Sequence, residues 1–247
     1  MRRATCGARV GIVNKDKSSN DLASRPPIQL IVFDLDGTLV DAFEDIALAV
    51  NHMLALDGLP PRSVEEVKRH VGRGVRMLIQ GILGTDDPAV LDEKVHVLTE
   101  YYRQHPIRTA RLYNGVVTGL EKLRAAGLRL AVASNKPHAL TCYLLEHLGV
   151  ARFFDWIEGQ SDAFPRKPAP DVLYHLMKLA GAQPATTLIV GDSPTDVEFA
   201  RAAGTEVVCV TYGQCTREEL LPYAPDAIVE DFNAVVANVL ERNKKQQ

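Results

Sequence analysis

From Ile28 onward the chain repeats one pattern, a short apolar run of strand length followed by a helix-like stretch that stops at glycine. The apolar runs are Ile28 to Phe33, Leu128 to Ala133, Thr187 to Val190, Glu206 to Val210 and Ala227 to Val229. Each is short enough to be a strand buried on both faces, the situation of strands in a parallel sheet. The helical stretches are Gly115 to Ala126 before Gly127, Pro137 to Leu148 before Gly149, Pro170 to Ala180 before Gly181, and Pro194 to Ala203 before Gly204. Proline opens a helix without losing a hydrogen bond and glycine closes one in the left-handed conformation, so the punctuation agrees with the periodicity. Parallel strands need crossover connections, and helices serve as those connections. The expected fold is therefore α/β, a Rossmann-like parallel sheet with helices on both faces.

One segment breaks the rhythm. Between Asp41 and Thr109 no strand pattern occurs, only helical stretches over Phe43 to Leu56, Ser63 to His70, Arg73 to Leu83 and Pro88 to His105. Ser63 followed by Glu66 has the spacing of a capping box. The reading is an all-helical cap domain over 42–109, inserted into an α/β core domain made of 28–41 and 110–241, with 1–27 as a tail. With 247 residues and 46% hydrophobic content the chain can bury a core of that size. A net charge of −3 lacks the basic face that nucleic acid requires, and no apolar run reaches membrane-spanning length. The four cysteines lack Cys-x-x-Cys spacing and no His or Cys cluster has that of a zinc site, so reduced thiols in a cytoplasmic protein are expected, monomer or homodimer.

The chemistry sits behind the first strand. Alternation along an extended chain points Asp34 and Asp36 to one side, and Gly37 and Thr38 let the backbone turn after them. Two like charges this close repel unless offset, and a hard cation with oxygen ligands, Mg²⁺, is the simplest offset; the bland alternative is an Asp-rich surface turn. Further constellations fall where an open α/β sheet binds ligands, beyond the strands' C-terminal ends. Ser134 and Asn135 offer a hydroxyl and backbone N–H groups to a phosphate. Lys167, in the proline-stiffened stretch Arg166 to Pro170, offers a fixed positive charge or else a solvated one. Asp192 and Asp196 bring two more carboxylates, either of which could singly be a helix cap.

Taken together, Asp34 to Asp41, Val71 to Gly74, Ser134 to Pro137, Arg166 to Pro170, Val190 to Asp196 and Val210 to Gly213 resemble the motifs of the haloacid dehalogenase superfamily, in order and type. Within it the chain is most similar to phosphoglycolate phosphatases. The resemblance implies a Mg²⁺-dependent phosphatase acting on a small phosphorylated metabolite. Asp34 would be the nucleophile that forms an aspartyl-phosphate and Asp36 the general acid and base. The metal would be held by Asp34, the Asp36 carbonyl and Asp192, with Asp196 in support. Ser134, Asn135, Lys167 and the turn at Gly37 and Thr38 would surround the phosphoryl group.

Substrate choice falls to the helical segment, where Arg73 and Arg76 could take a substrate carboxylate, as in 2-phosphoglycolate, or could lie on a solvated helix face. Two departures from the family pattern stand out: Ala42 where such enzymes usually carry Ser, and Ser134 where Thr is commoner. A phosphoglucomutase-type transferase would use a His just after the first motif, and Ala42 to Ile46 has none. A phosphatase for another sugar or biosynthetic ester, a pyrophosphatase and a non-catalytic binding module are the remaining alternatives; the last would be expected to have lost Asp34, Asp36 or Lys167.

Overall fold

The computed structural model describes residues 25–105 and 107–245; the expected tail lies outside the described residues as far as residue 24. In chain order the strands are β1 (Leu30–Phe33), β2 (Val40–Asp41), β3 (Arg111–Leu112), β4 (Arg129–Pro137), β5 (Trp156–Gln160), β6 (Thr187–Gly191), β7 (Glu206–Val210) and β8 (Ala227–Val229). The α-helices are α1 (Phe43–Leu56), α2 (Val64–Lys68), α3 (Val75–Leu83), α4 (Pro88–Gln104), α5 (Val116–Ala125), α6 (His138–His147), α7 (Asp171–Ala180), α8 (Pro194–Ala203), α9 (Arg217–Leu220) and α10 (Phe232–Lys244). Six strands form one sheet in the order β5-β4-β1-β6-β7-β8, parallel at every pairing. Strand order reverses at β1, and the crevice beyond its C-terminal end is where such a sheet holds ligands.

Alternation along β1 builds the two faces. Leu30 and Val32 join Ala131, Ile189 and Val207 against α7 and α8, while Ile31 and Phe33 join Leu130, Val132 and Val190 against α5 and α10. Phe33 is fully buried, its ring centroid 5.7 Å from that of Phe232. Burying a side chain of that size contributes about 1.5–3 kcal/mol, and a one-residue slip would turn the whole set to the wrong face. Register is thereby held by packing, with Phe33 opposite Val132 on one side and Val190 on the other. Asp34 is consequently delivered to a defined place.

Four helices, α1 to α4, lie between β2 and β3, as the sequence pattern predicts for this segment. The capping box of Ser63 and Glu66 is formed at the start of α2. β2 and β3 pair antiparallel, Asp41 opposite Arg111, and close a two-stranded ribbon where the chain leaves and re-enters the sheet domain. A buried carboxylate fastens the return. Asp45, on α1, accepts hydrogen bonds from the backbone N–H groups of Arg108, Thr109 and Ala110 and from the Thr109 hydroxyl at 2.7 Å.

Four features differ from the sequence expectation, one being that α9 and α10 form where the sequence pattern assigns no helix. β5 is an additional strand, missed because Trp-Ile-Glu-Gly-Gln is a half-buried edge rather than an apolar run. β4 runs past Ala133 to Pro137, with a register shift against β5 in that stretch. The ribbon strands are too short to carry a periodicity. Among the described residues no helix is long and apolar enough to cross a membrane, and Cys142, Cys209 and Cys215 are free thiols.

Replacing Asp45 by Ala strands several donors at the junction at once. Asp45→Ala is expected to lower unfolding free energy by about 2–4 kcal/mol, since hydrogen bonds to a charged acceptor are worth about 1.5–3 kcal/mol each and are not additive. Urea denaturation of the variant beside the parent checks this, and a loss under about 0.5 kcal/mol would contradict it.

Candidate active site

The C-terminal ends of β1, β4 and β6 bring together the acidic and hydroxyl residues singled out from the sequence. Asp34 follows β1 directly, its N–H donating to the Val190 carbonyl at 2.9 Å. The chain then turns tightly, the Gly37 N–H reaching the Val40 carbonyl at 2.8 Å. Gly37 has φ +88°, and a Cβ on it would lie 1.9 Å from an Asp192 carboxylate oxygen. The turn and Asp192 therefore pack so closely that only glycine fits. Thr38 is fully buried and its hydroxyl donates to Asp192 at 3.3 Å. Gly37 and Thr38, expected around a phosphoryl group, thus stand beside Asp192 and do not line the cavity described below.

Lys167 reaches in from the loop between β5 and α7. Its ammonium donates to Asp34 at 2.7 Å and to Asp196 at 2.8 Å, all three groups buried. Burial alone would lower its pKa, but Asp196 and Asp34 hold it above the usual ammonium range. The other Asp196 oxygen accepts from the backbone of Asp192 and Ser193 and from the Ser193 hydroxyl, capping α8. Asp196 is therefore both a helix cap and the anchor of Lys167. Asp192 accepts from the Gln214 N–H at 2.6 Å.

The charges do not balance. Asp34, Asp192 and Asp196 each offer an oxygen within 4.8 Å of the others, and one ammonium faces these three carboxylates. Burial, the Asp196 charge and the Asp36 charge push Asp34 up to about 6 against the pull of Lys167, and burial with the charges of Asp196 and Asp34 pushes Asp192 well above the ordinary range. Two uncompensated negative charges among hard oxygen donors fit a divalent cation such as Mg²⁺.

Asp36 has a partner that the sequence reading did not assign a role. Lys136 donates to both Asp36 carboxylate oxygens, at 3.1 and 3.0 Å, with both side chains largely buried. Lys136 stands two residues beyond Ser134 on β4, the spacing that returns a side chain to the same side of an extended strand. Ending that strand at Ala133 concealed the signal. The Asn135 amide bridges Gly72 and Lys167, donating to both carbonyls and accepting the Lys167 N–H at 2.9 Å.

Asp34, Asp36, Ser134, Asn135 and Lys136 form the floor of a cavity of about 50 Å³. Its roof comes from the helical insert and is mainly apolar, with Ile46, Val71, Val75, Leu78 and Leu98 beside Tyr102. Arg73 and Arg76, read from the sequence either as carboxylate ligands or as residues of a solvated helix face, are absent from this lining. The turn directs the backbone of Gly72 and Gly74 at the cavity, and Arg73 lines a separate cleft with Arg69 and Gln80. At the start of α3, Val75 and Leu78 share the inward face, whereas Arg76 points to α4 and pairs with Asp92.

Comparison with known proteins follows the same lines. A family model described as haloacid dehalogenase-like hydrolase matches residues 31–210. A phosphoglycolate phosphatase of Pseudomonas syringae pv. syringae is 35% identical over 219 residues, 86% of this chain and 80% of its own. One from Mesorhizobium japonicum is 35% identical over 223 residues, covering 89% and 96%. The solved structure of a predicted phosphoglycolate phosphatase from Haemophilus somnus 129PT superposes with TM-score 0.79 at 32% identity, covering 85% of this chain and 97% of that one. The chain belongs to the haloacid dehalogenase-like hydrolase family.

The charge imbalance has a thermodynamic consequence. Because the folded-state pKa of Asp34 lies near 6, above its ordinary 3.8, the folded protein binds the extra proton more tightly than the unfolded chain. That stabilisation is present at low pH and is lost as pH rises through about 6. A cation seated among these carboxylates competes with the proton, so Mg²⁺ is expected to raise the melting temperature more at about pH 7.5 than at about pH 5. Calorimetry with and without Mg²⁺ at both pH values measures it, and equal shifts would speak against a cation at this cluster.

Proposed function

We propose that this hydrolase cleaves a small phosphate monoester, 2-phosphoglycolate first among candidates, to the free alcohol and inorganic phosphate. The observation that carries the reading is that Asp34 and Asp36, from one turn, line the same small cavity with Ser134, while the Lys167 ammonium donates to Asp34. Relatives named phosphoglycolate phosphatase, similar over most of the chain, support the choice of substrate. A cavity of about 50 Å³ under a mainly apolar roof favours a short leaving group over a nucleotide.

In this reading an Asp34 oxygen attacks phosphorus, the bond to the ester oxygen breaks, and Asp36 protonates the departing alkoxide. Asp36 then takes a proton from water, whose oxygen attacks the aspartyl-phosphate and releases the Asp34 carboxylate. Ser134 and Lys167 hold phosphoryl oxygens, contacts that strengthen as charge builds in the transition state. Lys136 holds the Asp36 carboxylate in place at the cavity floor. Asp34 and Asp192 would ligate Mg²⁺, with the Asp36 carbonyl as the family resemblance implies and Asp196 supporting through Lys167 and the α8 cap. When bound, the cation neutralises charge between nucleophile and phosphate.

A panel of phosphoglycolate, pyrophosphate, sugar phosphates and nucleotides assayed by kcat/KM with Mg²⁺ tests the substrate assignment, with phosphoglycolate expected to lead. Asp34→Asn should reduce turnover by at least about 10³-fold while leaving the metal-free melting temperature undiminished, because an amide cannot act as the attacking carboxylate. Retained phosphatase activity in that variant would overturn the mechanism. Excess chelator should abolish turnover, and Ca²⁺ should not restore it, since its larger and looser coordination misplaces the nucleophile. Lys167→Ala should lower kcat/KM by about 10²-fold or more, the scale of a lost oxyanion contact.

A further inference from the structure

One residue that lines the cavity, Tyr102, carries a polar group with no assigned task. The Tyr102 hydroxyl is shielded from solvent and, among the described residues, has no hydrogen-bond partner. Tyr102 lies on α4, and of the cavity-lining residues contributed by the helical insert it alone has a polar side chain; the others are Ile46, Val71, Gly72, Gly74, Val75, Leu78 and Leu98. A buried hydroxyl left unpaired is costly, so a protein that keeps one beside its reaction site calls for a ligand account.

The neighbours of Tyr102 define that ligand. The Lys136 ammonium sits 5.3 Å from the Tyr102 ring centroid. An ammonium carries three donors and Asp36 takes at most two, which leaves one for a further acceptor. The Asn135 side-chain amide is engaged elsewhere, donating to Gly72 and Lys167 and accepting from the Lys167 N–H. Burial, with the charges of Asp36 and Asp45, keeps the phenol protonated far above its ordinary range, so it stands ready as a donor. Tyr102 from the mainly apolar roof and Lys136 from the polar floor thus line one small cavity, with the ammonium over the phenol ring.

We propose that Tyr102 is the specificity-determining residue of this site, its hydroxyl donating with Lys136 to an oxygen acceptor on the leaving group, and that the enzyme prefers short esters whose alcohol bears a carboxylate. The assignment rests on reading the site as a small-ester phosphatase, and it gives the carboxylate a partner other than Arg73 or Arg76. A polar site of this kind discriminates through its own unpaired donors: an apolar alcohol of equal length fits the space but leaves both donors unsatisfied.

Wild type and Tyr102→Phe, both full length and with Mg²⁺, should be compared on phosphoglycolate and on ethyl phosphate, its two-carbon apolar counterpart. The ratio of kcat/KM values is expected to fall about tenfold in the variant, with ethyl phosphate itself changing less than about twofold. Inhibition by glycolate should weaken in parallel. The variant should melt at or above the wild-type temperature, because no protein partner of the hydroxyl is lost. An unchanged ratio, equal losses on both esters, or a clear drop in melting temperature overturns the proposal. If wild type prefers another oxygen-bearing ester, the phosphoglycolate assignment fails separately. The same ratio is then read on that preferred ester against ethyl phosphate, and an unchanged value there overturns the role of Tyr102 as well.

Discussion

The Lys167 ammonium, buried between Asp34 and Asp196, joins the turn after β1 to the first turn of α8. One partner follows the central strand and the other opens α8, so the contact ties the crossing of β1 and β6 to the loop that carries Lys167. Removing a charge from water is expensive, and a single ion pair in such a place rarely stabilises a fold. Here the imbalance is larger still, because Asp192 adds a third carboxylate. Three carboxylates around one ammonium leave negative charge uncompensated, an imbalance that a divalent cation would offset. The strand ends that carry these groups are held in register by the packing of Phe33 and its neighbours.

The helical insert is coupled to this centre by polar contacts that converge on one turn. Asn135 takes the Gly72 carbonyl from the β4 side, while the Gln214 amide takes the carbonyls of Lys68 and Val71 from the β7 side. Gln214 also holds Asp192 through its backbone N–H, and Asn135 also holds Lys167. The turn over 68–72 is thus fastened to the same loops that hold Asp192 and Lys167. Roof and floor share one set of hydrogen bonds.

Much of this was open to inspection in the linear chain. Short apolar runs, proline and glycine punctuation and the crossover requirement together point to a parallel sheet, and the acidic and hydroxyl residues fall at predicted strand ends. The edge strand β5 escaped because an edge needs no apolar run, and Lys136 escaped because the end of β4 was placed three residues before Lys136 itself. Gln214 carries no local signal at all; its role depends on two loops meeting.

The sequence by itself determined which chemical groups arrive at the strand ends and in what order, since strand alternation and turn residues act over a few positions. Tertiary structure decided how those groups pair. Asp36 meets Lys136 a hundred residues away, the α3 helix turns Arg76 toward Asp92, and Tyr102 lines the cavity. Which face of a helix looks inward depends on what packs against it from elsewhere in the chain, and that information is non-local by nature.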